Sequence, residues 1–303
     1  MSAKPLIAAI ETGGTKCLVS VGRDPNTTTR HRINTAYPDE TANAIERTIL
    51  DEIGSDTLDA IGIASFGPIN VDPDSPDYGR MGPTPKPHWE GFNLRAHLQL
   101  RFDCPVMSDS DVNGAALAEA YWQLDRPINH LAYVTVGTGI GSGVLQNGSI
   151  VNGRSHPEIG HIRVEKHVSD HPFSGTCPFH GACLEGLASG AAIHERWGTS
   201  LSELGTKHPG LALEAFYLGQ LAVNLILHYR PEVIIFGGGV SQTPMLLESI
   251  RTECLTLLGD YLPELASADS IEKLIRPPRL GDDSGILGAF MLAELAFSRV
   301  NSS

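Results

Sequence analysis

The sequence has no run of lysine and arginine of the kind that tracks a nucleic-acid backbone or an anionic bilayer: 22 Lys and Arg face 35 Asp and Glu, a formal net charge of −13. That balance opposes binding to a polyanion, so neither nucleic acid nor membrane is expected as a partner. Cysteine is scarce, five in 303 residues, and neither a signal peptide nor a transmembrane run is read in the chain. The expectation is a protein of the reducing cytoplasm, where paired Cys and His bind metal more often than they form disulfides. A Walker A loop is also missing, because Gly13-Gly14-Thr15-Lys16 does not fit G-x-x-x-x-G-K-[ST]. The Gly-rich run Gly137–Gly143 is followed by an apolar strand pattern rather than a helix, which disfavours a Rossmann dinucleotide site.

Apolar residues and glycine are plentiful. With 41% hydrophobic residues, 32 Gly and 20 Pro, the chain can bury a substantial core and reads as a loop-rich α/β protein. Its length suggests about two domains.

The densest chemistry lies between Glu158 and Glu185. Cys177, His180 and Cys183 follow one another at three-residue steps, and His161 precedes Cys177 by sixteen residues. Such a set supplies four nitrogen and sulfur ligands for a closed, structural zinc shell, although by spacing alone His156, His167 and His171 compete with His161 for the fourth place. A Cys177–Cys183 disulfide is the plainer alternative. A catalytic zinc needs an open coordination position, which four protein ligands do not leave. Glu158 and Glu185 flank the ligands, so one ion would set both carboxylates and build a polar wall for a small polyhydroxy substrate.

Two strand, Gly-rich turn, strand units occur, one in each half of the chain. In the first, Leu6–Ile10 and Cys17–Val21 enclose Glu11-Thr12-Gly13-Gly14-Thr15-Lys16, a turn able to aim backbone N–H groups at phosphate oxygens. In the second, strands over 130–136 and 144–145 enclose Gly137–Gly143. Ala42, Ile45, Ile49 and Ile53 recur on one face of a helix over 39–53. A buried strand over 58–65 runs into Phe66-Gly67-Pro68, a sharp loop at the carboxyl end of a strand, where open α/β sheets bind ligands. The proline-rich stretch 72–89 reads as a long ordered or mobile surface loop over a cleft. A strand over 101–108 leads to Asp109-Ser110-Asp111-Val112-Asn113-Gly114 and a helix over 115–124. One of those residues serves as an N-cap; a second carboxylate at a strand end is placed as a general base for a hydroxyl.

Helices are read over 187–197 and 211–229, and a strand over 232–236 meets Gly237-Gly238-Gly239, where a flat ring such as adenine could lie on bare backbone. A last helix, from about Asp283-Ser284, carries Gly285, Gly288, Ala289 and Ala293, small residues that permit close packing, and is expected to return to the first domain.

Taken in order, Glu11–Lys16, Asp111–Asn113, the Gly137–Gly143 run, Glu158–His161 and the Cys-x2-His-x2-Cys segment resemble the ROK family of sugar kinases and repressors over essentially the whole chain. Ser65–Ile69, Thr84-Pro85-Lys86-Pro87 and Cys177-Pro178-Phe179-His180 resemble its fructokinase branch most. The resemblance implies an actin-like, ribonuclease-H-like ATPase fold of two α/β domains around a cleft, working with ATP and Mg2+. It implies domains over 1–112 plus about 284–303, and over 113–283 with the zinc loop, and it favours a homodimer.

By the same resemblance Gly13, Gly14, Thr15, Lys16, Gly137, Thr138, Gly139 and Gly141 would hold ATP phosphates, and Gly237, Gly238 and Gly239 would lie near the nucleoside. Asp111 would be the catalytic base. Gly67, Pro68, Asp111, Glu158, His161 and Glu185 would contact sugar, with His161, Cys177, His180 and Cys183 holding structural zinc; this selects His161 among the histidines. Ser110 replaces the Asn that glucokinase-like members carry before the catalytic Asp, and Glu11 replaces an Asp that bears on magnesium; both departures fit the fructokinase branch. No room is expected before Glu11 for the DNA-binding domain of the family's repressors. The implied activity is phosphorylation of D-fructose to fructose 6-phosphate, with a mannose or glucose kinase and a non-catalytic sugar sensor as the alternatives.

Overall fold

The computed structural model describes residues 4–84, 86–122 and 126–301. The expected helix end at Leu124, Pro85 of the Thr84–Pro87 motif and the last two residues of the expected terminal segment lie outside them. The chain divides into two compact units, one formed by 1–119, 151–156 and 282–303, the other by 120–150 and 157–281. The sequence reading divides the chain at 112/113 and about 284; in these units the following helix stays with the first through Glu119, 151–156 joins it, and it resumes at Asp282.

The first unit begins with β1 (Ile7–Thr12), β2 (Lys16–Gly22) and β3 (Arg30–Asn34), followed by α1 (Pro38–Ile53) and β4 (Ala60–Ser65). Then come α2 (Leu94–Phe102), β5 (Val106–Ser110) and α3 (Asp111–Tyr121). The sheet order is β3-β2-β1-β4-β5, antiparallel across β1–β2–β3 and parallel across β1–β4–β5. Proline at its start, Asp39 and Glu40 in its first turn and Gly54 at its end give α1 the start and stop that helix-terminus physics favours. Its stripe of Ala42, Ile45 and Ile49 packs on alternate residues of the strands, Ala8 and Ile10, Cys17 and Val19, Ile61 and Ile63. Each such large aliphatic side chain contributes about 1.5–3 kcal/mol by leaving water.

Two boundaries of the first unit move furthest from the sequence reading. Arg101 and Phe102 close α2 instead of opening a strand, which begins at Val106 after Asp103 has turned left-handed. The next helix begins at Asp111 rather than at Ala115, so Asp111 belongs to its first turn.

The second unit repeats the pattern: β6 (Leu131–Val136), β7 (Ile140–Gln146) and β8 (Ser149–Ile150), then α4 (Leu184–Ala188), α5 (Gly190–Trp197), α6 (Leu201–Leu204) and α7 (Pro209–Tyr229). It ends with β9 (Val233–Gly237), α8 (Leu246–Leu258), α9 (Ala268–Leu274) and β10 (Ile275–Arg276). Its sheet, β10-β9-β6-β7-β8, has the same mixture of pairings as the first, with β6 in the place of β1 and β9 in the place of β4. The duplication inferred from two strand–turn–strand units thus extends to the entire sheet topology. The helix read over 187–197 is broken at Ser189, whose side chain caps α5 by accepting from the Ala192 N–H. Among the described residues α7 is long and apolar enough to cross a membrane, but 61% of its most apolar stretch is buried inside the protein, as in a core helix, and α7 packs on α8 and α4.

The terminal helix α10 (Ser284–Asn301) belongs to the first unit and lies across β1 and β4. Small residues permit this: a Cβ on Gly62 would fall 1.9 Å from the Ala289 carbonyl oxygen, and one on Gly288 2.2 Å from the Gly114 backbone.

Candidate functional site

The glycine turns and Asp111 follow the carboxyl ends of parallel strands in each unit, the position at which open α/β sheets present ligand-binding loops, while Glu158, the Cys/His residues and Glu185 lie between β8 and the first turn of α4. After β1, the Gly13 N–H donates to the Lys16 carbonyl at 2.8 Å, closing the turn, while nothing lies within 4 Å of the place a Gly14 Cβ would occupy. Thr35 holds this turn from beneath, its hydroxyl donating to Gly13 O at 2.7 Å and its N–H to Thr15 O at 3.0 Å. Lys86 grips it from the proline-rich stretch, Nζ donating to Gly14 O at 2.7 Å and to Thr35 O at 3.1 Å. Sequence reasoning assigned Lys86 no task, since seventy-two residues separate it from Gly14.

That proline-rich stretch is ordered against the first unit. Tyr78 is buried and exchanges two hydrogen bonds of 2.9 Å with the Ser108 backbone; Trp89 is buried and donates to Ala36 O at 3.0 Å. After β4, the Gly67–Pro68 bond is cis, Gly82 N–H donates to Pro68 O at 2.8 Å, and the Ile69 N–H donates to His156 Nε2 at 3.3 Å. His156 is thereby occupied in the first unit rather than with the cysteines.

After β5 the two aspartates separate in role. Asp109 is buried and accepts from Ser110 N–H at 2.7 Å, Asn113 Nδ2 at 2.7 Å and Asn152 Nδ2 at 3.1 Å; burial raises its carboxyl above the ordinary value. This network explains Asp109 and Asn113, which a single N-cap did not. Asp111 is half-buried in the first turn of α3, with Oδ1 accepting from the Val112 N–H at 2.9 Å. Glu11, at the end of β1, has its carboxyl raised to about 7, first by burial and then by the charge of Asp111, with Lys16 opposing and Asp283 and Asp282 adding.

In the second unit His161, Cys177, His180 and Cys183 bring their ligand atoms within 4.8 Å of one another. His161 Nδ1 lies 3.5 Å from Cys183 Sγ and 3.7 Å from Cys177 Sγ, and His180 Nδ1 lies 3.6 Å from Cys177 Sγ. All five cysteines are free, which removes the disulfide alternative. His167 instead bonds Ser169. Two thiolates and two imidazoles at these separations are the donor set and edge lengths of a tetrahedral centre, so the residues fit a zinc ion. The knuckle itself is a backbone device: Cys177 and Gly181 exchange N–H···O bonds of 3.3 and 2.9 Å, and a Cβ on Gly186 would fall 1.9 Å from Gly181 O.

The second Gly-rich run is shorter as a turn than the sequence suggests. Only Gly137–Gly139 turns, with Gly137 N–H donating to Gly139 O at 2.9 Å; Gly141 and Gly143 lie in β7 opposite Thr135 and Tyr133. Thr138 sits at its apex, and the first N–H of α5, on Gly190, donates to Gly137 O at 2.7 Å. The triple glycine is likewise split. Gly237 ends β9, where a Cβ would fall 2.3 Å from the Tyr133 hydroxyl; Gly238 turns at φ +84° against the Val136 backbone, and only Gly239 has open space beside it. Glu158 precedes the single turn that carries His161, and Glu185 opens α4 two residues after Cys183, accepting from the Ile140 N–H at 2.9 Å.

A fructokinase of Zymomonas mobilis is 41% identical to this chain over 96% of it and 97% of its own length. One of Pediococcus pentosaceus is 37% identical over 96% and 98%. Among solved structures, a ROK hexokinase of Thermus thermophilus superposes with a TM-score of 0.76 at 26% identity, covering 98% of this chain and all of its own. These similarities place the two duplicated sheets in the actin-like ATPase fold. The ROK family pattern matches residues 7–296, and with relatives of this closeness along nearly the full length, the chain belongs to the ROK family.

Proposed function

We propose that the protein is an ATP-dependent hexose kinase that transfers the γ-phosphoryl group to a primary hydroxyl, O6 of D-fructose, giving fructose 6-phosphate and ADP. The observation that carries this reading is the pair of relatives named fructokinase at 41% and 37% identity along nearly the whole chain. Phosphoryl transfer asks a protein for positioning and charge neutralisation more than for covalent chemistry. In this reading Asp111 accepts the proton of the attacking hydroxyl. Its neighbour Asp109 is committed to three hydrogen bonds, which supports Asp111 for that task.

Gly13–Lys16 and Gly137–Gly139 with Gly141 hold the triphosphate, Gly238 and Gly239 with Gly237 lie near the nucleoside, and Gly67, Pro68, Glu158, His161 and Glu185 bind the sugar. Ionised carboxylates make the stronger, charge-assisted hydrogen bonds to hydroxyls. Mg2+ accompanying ATP supplies charge neutralisation at the phosphates. Zinc, held by His161, Cys177, His180 and Cys183, orders the loop between Glu158 and Glu185 and takes no part in the transfer. A homodimer in the cytoplasm, with no nucleic-acid partner, completes the reading.

The test is ADP release with MgATP against fructose, mannose, glucose, N-acetylglucosamine and N-acetylmannosamine. Highest kcat/KM on fructose is the expected result. A different preferred sugar retains the kinase and overturns the acceptor; no turnover of any sugar by zinc-replete protein makes it a sugar sensor.

A further inference from the structure

Both halves of the Cys/His cluster end on the residue that directly follows the second glycine turn, Ile140, the first of β7. From one side its N–H donates to Glu185 Oε2 at 2.9 Å, Glu185 being the second residue after the cluster's Cys183. From the other side Gly160, directly before His161, lies so close that a Cβ on it would fall 1.9 Å from the Ile140 carbonyl oxygen. Glu185 also fills the space beside the turn: a Cβ on Gly139 would meet its Oε2 at 2.6 Å. Its other oxygen lies 3.9 Å from His161 Nε2, while His161 Nδ1 is the nitrogen turned toward the two cysteines. An imidazole that ligates through one nitrogen carries its proton on the other and commonly presents it to a carboxylate, which fixes both groups.

We propose that Glu185 is a positioning residue for the Gly137–Gly139 turn and transmits the ordered state of the Cys/His cluster to the loop that holds the nucleotide phosphates. The inference rests on the phosphate role proposed above for that turn, and it gives Glu185 a second task besides any contact with sugar. Ile140 is buried, and the Glu185 carboxylate is the side-chain acceptor that its N–H has. Releasing the metal frees 159–161 and 183–185, the two segments that pin Ile140, and the turn loses its shape. Metal removal therefore weakens nucleotide binding even when no sugar is present.

The experiment measures MgATP binding without sugar by calorimetry, together with zinc content and amide hydrogen exchange over 138–141. The proteins compared are the zinc-loaded wild type, wild type stripped with a chelator and then dialysed, Glu185→Ala and Glu185→Gln. Glu185→Ala is expected to keep its zinc and bind MgATP about tenfold more weakly, the effect of orphaning one buried donor. Glu185→Gln, whose amide oxygen still accepts from Ile140, is expected to recover most of that affinity. The stripped protein should match Glu185→Ala, with 138–141 exchanging faster in both while α7 and α8 stay protected.

Unchanged affinity and exchange in Glu185→Ala overturns the positioning role, and normal MgATP binding by folded, stripped protein overturns the transmission. Failure of the zinc-loaded wild type to bind MgATP at all would refute the nucleotide reading instead, and the exchange comparison would then decide the structural link by itself.

Discussion

Glu11 offers a titration whose size follows from its surroundings. One of its oxygens, Oε2, is buried without a hydrogen-bond partner among the described residues, and α10 starts so close that a Cβ on Gly285 would fall 2.4 Å from the carboxylate. Burial, then the charge of Asp111, raises its pKa from 4.5 to about 7. Below pH 4.5 the group is protonated in both folded and unfolded chains and contributes nothing to the difference. Between 4.5 and about 7 the unfolded chain ionises while the folded one keeps its proton, so stability falls as pH rises. Above about 7 both are ionised and the full cost of that rise, roughly 3 kcal/mol, is in place.

Glu11→Gln has nearly the same shape and cannot ionise, so it removes this pH-dependent cost while any penalty for its own unpaired amide stays constant with pH. The stability difference between variant and wild type should therefore grow by about 2–3 kcal/mol in favour of the variant from pH 4.5 to 8.5. Urea-denaturation curves in buffer free of nucleotide and divalent ions, at half-unit pH steps, measure it. A difference that stays flat over that range refutes the argument.

Three further outcomes follow from the geometry. Asp111→Asn should lower kcat by about 10²- to 10⁴-fold with MgATP binding little changed, as for loss of a general base, read from steady-state kinetics beside calorimetry. Cys183→Ser should abolish stoichiometric zinc binding and lower the thermal midpoint, because a structural metal contributes folding energy directly; metal analysis and calorimetry check both. Gly62→Ala should destabilise by about 1–3 kcal/mol or more, since the added Cβ would sit 1.9 Å from the Ala289 carbonyl oxygen and α10 would have to lift from β4; Gly54→Ala, at an open but left-handed turn, is the contrasting control for strain without collision.

Much of the fold was legible because its signals are local. The stripe of Ala42, Ile45 and Ile49 needs only the helical period, the β1–β2 turn needs only two apolar runs flanking glycines, and the Cys177, His180, Cys183 steps present three donors whatever surrounds them. The split of Asp109 from Asp111 was not legible in this way: both sit beside the same strand end, and it is Asn152, brought in from beyond β8, that ties up Asp109. Nor did spacing choose among the histidines. His156 is taken by the Ile69 N–H and His167 by Ser169, and it is His161 that packing brings beside the cysteines.

The sequence by itself therefore determined the class of fold, its duplication and the chemical types at each strand end, because periodicity, turn preference and ligand spacing act over a few residues of chain. Tertiary structure alone decided that Gly237 is a strand residue making room for the Tyr133 hydroxyl, that Lys86 fastens the Gly14 turn, and that Glu185 holds Ile140. Those assignments depend on which distant groups burial brings within hydrogen-bond reach, and a buried polar group must take the partner that packing supplies.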